Sequence, residues 1–339
     1  MTDPSRVEAM ADRGAIGFKL FTHTPPPERI DEFEGLWASG PDEIYECMRA
    51  VAAVGLRCAV HAESQQFIEY FRRWPDRLGN PSRPPMVEAA AVGLVATIAR
   101  EVDLPAHIVH VTSRLATEEV KAAQALGADM SAESCPHYLL FDESYIPRFG
   151  NFVKVAPPLR TVEDVAYLWE ALSDGTLSVV ASDHAPFTPE EKAAADFATS
   201  GQGIPSLEML VPTMLDAGLA GRLPLETTVE VMTANPAKLF GIYPRKGTVS
   251  VGSDADLVLV DPDSRTVVDS ARFLARSGGS AKAYDGMRLA GRVLTTLSRG
   301  RIIYTKGRLV EDSGGRFVSP DSPPVHVNRI RASIVAAGQ

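Results

Sequence analysis

The feature that most constrains this chain is a run of short apolar segments that alternate with helical patterns over the first two-thirds of its length. The segments fall at residues 16–21, 56–60, 106–110, 129–132, 152–155 and 177–181. Runs of this length, apolar on both sides, are read as strands buried on both faces. The intervening stretches carry helix signals. Ile44, Met48 and Val51 share one face of a segment at 41–54 that stops at Gly55. Ser113 can cap a helix that Gly127 ends. Thr161 and Asp164 form a capping-box pattern ahead of Val165, Leu168 and Leu172. Strand–helix alternation predicts a parallel α/β fold. After about residue 245 the pattern changes to β-rich segments at 247–249, 255–260, 293–297 and 301–304. We therefore expect a first unit at 1–245, a small antiparallel β domain at 246–318 and a tail at 319–339. Pro320, Pro323 and Pro324 suggest that the tail runs over the surface.

Composition narrows the function classes. The 339 residues are 45% hydrophobic and 23% charged, which excludes a disordered or fibrous chain. The formal net charge of -9 argues against nucleic acid as a partner. Three cysteines without Cys-x-x-Cys spacing argue against a disulfide framework and a cysteine zinc knuckle. The N-terminus lacks the apolar core of a signal peptide, and the longest apolar run, 89–99, is about half a membrane span. The expectation is a soluble, cytoplasmic protein with no membrane partner.

Polar residues gather where the apolar segments end. Lys19 lies inside the first run, His61 directly follows the second, His110 closes the third, and Asp183 and His184 follow the last. In a parallel barrel the carboxyl ends of the strands converge on one mouth. Two neutral imidazoles and a carboxylate gathered there suit a zinc-like divalent ion. Burying so many ionisable groups without an ion would be costly.

These residues sit in motifs that resemble those of the cyclic amidohydrolases, the dihydroorotase, allantoinase and hydantoinase group of the amidohydrolase superfamily. The motifs run in order: Gly17-Phe18-Lys19, His61-Ala62-Glu63, His110-Val111-Thr112-Ser113, Cys135-Pro136-His137-Tyr138-Leu139, Lys154 through Arg160, and Ser182-Asp183-His184-Ala185-Pro186-Phe187. Asn235 to Gly241 and Lys246 to Val258 continue the match. The resemblance implies a TIM (β/α)8 barrel of the metal-dependent hydrolase type with two divalent metal ions, commonly zinc. Lys19 matches the lysine that relatives carboxylate to bridge the ions. His61 and His110 match ligands of the second ion. Asp183 matches the carboxylate that binds the first ion and serves as the catalytic base. His137, Arg160, Gln202 and Gly203 correspond to candidate substrate contacts, and Glu63 to a carboxylate behind His61. His184 is expected to steady its loop, and His23 to be a solvated loop residue. The implied activity is ring opening of a small cyclic amide or ureide, by an enzyme that assembles as a homo-oligomer.

Two departures from the family pattern matter. None of the seven histidines forms the His-x-His pair that relatives place after barrel strand 1. In the family order Lys19 closes strand 4 and Asp183 strand 8, and only 18 residues precede Lys19. Three further units would need on the order of 90 residues. The expectation is an incomplete barrel of about strands 4–8 with part of a small β-sandwich, from a start assigned too late. The first ion would then keep only Lys19 and Asp183, so fewer than two ions per chain are expected. The alternative is a truncated or non-catalytic member that acts as a binding or structural protein. The second departure is that hydantoinases carry a tyrosine shortly after the lysine, whereas here Thr22, His23 and Thr24 follow it. That favours an allantoinase-like or dihydroorotase-like substrate.

Overall fold

The structure is a computed structural model that describes residues 3–25, 30–31, 33–74, 83–193, 197, 199–310, 314–328, 330–331 and 334. Its first sheet has five parallel strands in sequential order: β1 (Gly17–Phe21), β2 (Arg57–His61), β3 (Ala106–Ile108), β4 (Met130–Ser134) and β5 (Val179–Val180). The pairing register sets Phe21 beside His61 and Ser134 beside Val180. The carboxyl ends of neighbouring strands are thereby aligned on one rim.

The helices between the strands form where the sequence signals them. Pro41–Ala53 buries Ile44, Cys47, Met48 and Val51 and passes into Gly55 at φ +68°. Ser113 accepts the amide of Ala116 at the start of Arg114–Ala125. Thr161 and Asp164 make a reciprocal capping box ahead of Val162–Ser173. These helices cover the sheet with one continuous core that includes Leu20, Met48, Val60, Val92, Ile108 and Met130.

The segment at 152–155 is not a strand. Residues Gly150–Val153 form a 3-10 turn, because β4 and β5 pair directly and leave no place in the sheet between them. The segment at 247–249 is likewise outside the strands. The second sheet is antiparallel and holds β6 (Leu257–Val267), β7 (Arg288–Ser298), β8 (Arg301–Thr305) and β9 (Arg308–Leu309). Asp216, on the helix Leu210–Leu219, accepts the β7 amide of Ala290, and a side chain at Gly291 would press on Leu219.

The tail does not simply cross the surface. Val327, Ile330 and Ile334 are buried, the last two against Val179 and Leu239. Arg57 anchors this end of the sheet. It is fully buried and donates to Leu239 O, Ala106 O and Val325 O, and both Asp129 carboxylate oxygens lie 3.2 Å from its Nη2. Asp129 also accepts the amide of Val327. A buried charge is tolerated when its donors are paired in this way. Pro26, Pro27 and the last five residues lie outside the described residues. Among the described residues, no helix is long and apolar enough to cross a membrane.

Candidate active site

The rim at the carboxyl ends of β1–β5 opens into a cavity of about 520 Å³. Lys19, in the middle of β1, and His61, His110 and Asp183, at or just past the ends of three other strands, all line it, together with Gln202 and Gly203. His110 and Asp183 each adopt φ +43°, a left-handed conformation that is rare outside glycine. Among the described residues, Asp103, Arg299 and Lys306 are the other non-glycines at positive φ. Strain at two cavity-lining strand ends is the kind that accumulates at functional sites.

Electrostatics suit ion binding. Burial depresses Lys19 to about 8, although Glu133 and Asp183 pull in the opposite direction. Its Nζ lies 4.8 Å from the centre of the Phe21 ring. Burial also lowers His61 and His110, so both rings are neutral with lone pairs available. The two rings are 4.5 Å apart. Asp183 is raised to about 7 by burial, against the attraction of Lys19.

A network behind His61 fixes its orientation. His61 Nε2 lies 2.8 Å from Glu63 Oε2 and 3.1 Å from His23 Nε2. His23 Nδ1 is 2.8 Å from Thr24 O, which can only accept, so Nδ1 carries the proton and Nε2 is left as an acceptor. The consistent assignment makes His61 Nε2 the donor to Glu63 and leaves Nδ1 with its lone pair free, the arrangement that suits an imidazole to ligate an ion. Arg83 donates to the same Glu63 oxygen at 2.9 Å. Burial pushes the Glu63 carboxyl up, but Arg83 and the histidines outweigh it and hold the group ionised well below the usual range.

The remaining candidates divide. His23 is buried at 7% exposure and lines the cavity, contrary to the solvated loop position expected of it. Arg160 lies behind the wall and not on it. It donates to Thr112 Oγ1 and Arg83 O, and its Nη2 is 3.7 Å from Glu88. His137 is also outside the lining, fully buried, with no partner for either ring nitrogen. His184 lines the cavity and steadies its loop by accepting the amides of Ser206 and Leu207. Gln202 and Gly203 are carried by a loop that Lys192 clamps from beneath, donating to Lys154 O, Gly201 O and Gly203 O. A Cβ at Gly203 would fall 2.1 Å from that of Ala185, so only glycine fits. Residue-type reasoning missed Arg83 and Lys192. The His23 signal was present: Lys19, Phe21 and His23 alternate with period 2 and so point to one side.

Burial sets a pH dependence for the metal-free chain. His23 and His137 are pushed down to about 3, below the ordinary 6.5. The unfolded chain therefore binds protons that the folded chain refuses, and stability is lost as pH falls from 6.5 toward 3. Asp183, raised instead, acts oppositely between about 4 and 7 and offsets part of this. Urea midpoints in chelator should fall between pH 7.5 and 5, and more shallowly in His137→Gln. A His137→Gln slope equal to that of the wild type would refute the burial argument.

A five-stranded parallel β/α sheet that gathers lysine, histidine and aspartate on one rim is part of a barrel of the metal-dependent hydrolase type. The chain belongs to the Amidohydrolase family, whose model matches residues 32–303. It is 39% identical over 326 residues to an allantoinase of Rubrobacter xylanophilus, covering 93% of this chain and 69% of that protein. It is 36% identical over 324 residues to an L-hydantoinase of Paenarthrobacter aurescens, covering 92% of this chain and 69% of that protein. Among solved structures it resembles the L-hydantoinase (dihydropyrimidinase) of Arthrobacter aurescens, with a TM-score of 0.85 and 35% identity over 93% of this chain and 71% of that one.

Proposed function

We propose that the protein hydrolyses a ring C–N bond of a small cyclic amide or ureide, of the allantoinase or dihydroorotase type. The observation that carries this reading is the convergence of Lys19, His61, His110 and Asp183 on one cavity in a member of the Amidohydrolase family. The relatives named allantoinase and L-hydantoinase support the reaction class. A cavity of about 520 Å³ suits a single small ring.

The residues fit divalent ions, with zinc the natural choice for this donor set. His61 and His110 are neutral imidazoles, and Lys19 is depressed far enough for a neutral amine fraction at physiological pH. Only a neutral amine reacts with carbon dioxide, so Lys19 is suited to carry the carboxylate that bridges two ions. Lys19, His61 and His110 would hold one ion, and Asp183 with Lys19 the other. Bound ions would supply hydroxide at neutral pH and polarise the carbonyl under attack.

The protein's own residues then have definite tasks. Glu63 and His23 hold His61 in one tautomer. Asp183 accepts the proton of the attacking water and passes it to the ring nitrogen as the C–N bond breaks. The loop carrying Gln202 and Gly203 walls the cavity where a ring would lie. The chain loaded with zinc should be assayed on allantoin, dihydroorotate, hydantoin and dihydrouracil. Turnover of allantoin or dihydroorotate above the other two is expected. Preference for hydantoin or dihydrouracil would overturn the substrate assignment, and no turnover of any would favour a non-catalytic binding role.

A further inference from the structure

We propose that Lys192, which does not itself line the cavity, is a positioning residue for the substrate: its ammonium holds the two wall segments 154–156 and 201–203 at the spacing a bound ring requires. The inference rests on the reading of the cavity as the substrate site and names a residue on which that site depends.

The two segments come from separate parts of the chain. Val155 and Ala156 line the cavity from the first, and Gln202 and Gly203 from the second. Gly203 N donates to Lys154 O, and Lys154 Nζ donates to Ser200 O, each at 2.9 Å. Lys192 adds a common anchor. Its Nζ lies 2.9 Å from Lys154 O on the first segment, and 2.8 Å from both Gly201 O and Gly203 O on the second. The last two acceptors flank Gln202, so one ammonium fixes the backbone on both sides of a cavity-lining residue and ties it to the facing wall.

The chemistry of the group matches that task. A lysine ammonium carries three donors and no acceptor, and here all three meet carbonyl oxygens. Lys192 is fully buried. Burial and the nearby Lys154 both lower its proton affinity from the ordinary lysine range, and among the described residues no carboxylate offsets them. A charge held in the interior at that cost is retained when its hydrogen bonds are all made. The turn that carries it is fixed in its own right, because Thr188 and Glu191 make a reciprocal capping box around Pro189–Lys192. Glu191 O also accepts the amide of Gly201. Without the ammonium, carbonyl oxygens of both wall segments are left buried and short of a donor, and the loop must shift to reach water. A shift of that kind displaces the surface against which a ring is held.

The test compares the wild type with Lys192→Met, which keeps the length of the stem and removes the donors, each as the zinc-loaded 339-residue chain. On whichever of the four substrates above the wild type turns over fastest, KM is expected to rise about tenfold while kcat stays within about threefold. Both proteins are assayed on the folded baseline of their urea curves, so a merely structural loss leaves KM unmoved. Hydrogen exchange gives a readout that needs no turnover. Amides at 200–206 should exchange about tenfold faster in Lys192→Met, and those of β1 and β2 at the wild-type rate. An unchanged KM in the folded variant, or unchanged exchange at 200–206, would overturn the proposal. If Lys192→Met does not fold, the wild type decides: the Gly203 amide should exchange as slowly as those of β2, and exchange at the rate of a free loop would overturn the clamp. A wild type that turns over none of the four substrates would overturn the reading of the cavity, and the exchange data would still judge Lys192.

Discussion

Lys19→Ala is expected to lower turnover by about a thousandfold or more, equivalent to about 4 kcal/mol of transition-state stabilisation, and to reduce bound metal. The argument begins with position. Lys19 sits in the middle of β1 between buried Phe18 and Leu20, and its side chain reaches the cavity past Phe21. Burial depresses its amine to about 8, which leaves a neutral fraction able to capture carbon dioxide. Carboxylation would turn the side chain into an anion suited to lie between two bound cations. Truncation to alanine removes that anion but not the histidines, so His61 and His110 should retain residual affinity for one ion. Two controls separate this role from packing. A short carboxylic acid that fills the void should restore part of the activity of Lys19→Ala. Wild-type enzyme reconstituted with zinc in carbonate-free buffer should be less active than enzyme reconstituted with bicarbonate. Full turnover in Lys19→Ala would remove Lys19 from the mechanism.

The strands were legible because buried parallel strands are short and apolar, and five of the six apolar segments are strands. The exception, 152–155, has the right composition but no partner, since β4 and β5 already pair. Pairing is a property of the whole sheet, and a window of four residues does not carry it. The tail misled for a related reason. Three prolines read as surface chain, while Val327, Ile330 and Ile334, spaced like a helix face, are buried, the last two against Val179 and Leu239.

The four cavity-lining residues Lys19, His61, His110 and Asp183 were legible because each interrupts an apolar run or closely follows its end. Of their supporting partners Glu63, two residues from His61, was legible, whereas Arg83 and the buried place of His23 were not, because these come from distant segments. Arg83 meets Glu63 across twenty residues, and His23 meets His61 across thirty-eight. Arg160 was open to two readings, a substrate contact or an ion pair that closes a loop. Its charge suggested substrate, but Glu88 lies buried nearby on the helix Pro85–Glu101, where Thr112 and Ser113 also hold it. Nothing local to Arg160 marks that neighbour.

Asp183→Asn should separate catalysis from architecture. Asparagine matches aspartate in size and, like it, tolerates the left-handed backbone that position 183 adopts at φ +43°. The fold is therefore expected to survive. What is lost is a carboxylate able to accept a proton from water and return it to the leaving nitrogen, and with it one anionic ligand for an ion, so the variant is assayed at saturating zinc. General acid–base transfer of this kind contributes about 100- to 10,000-fold, so kcat should fall within that range while KM changes little. Stability should move the other way. The folded carboxyl titrates near 7, above the ordinary 3.8, so ionising it costs stability that the chain loses as pH rises from about 4 to 7. The side chain is 35% exposed to the cavity, and solvent there screens part of that cost. In chelator at pH 8, Asp183→Asn should therefore unfold at a urea concentration equal to or above that of the wild type. The advantage should shrink as pH falls toward 4 and vanish near pH 3, where both states of the wild type are largely protonated. A variant that is inactive and also markedly less stable at pH 8 would instead make Asp183 a structural residue.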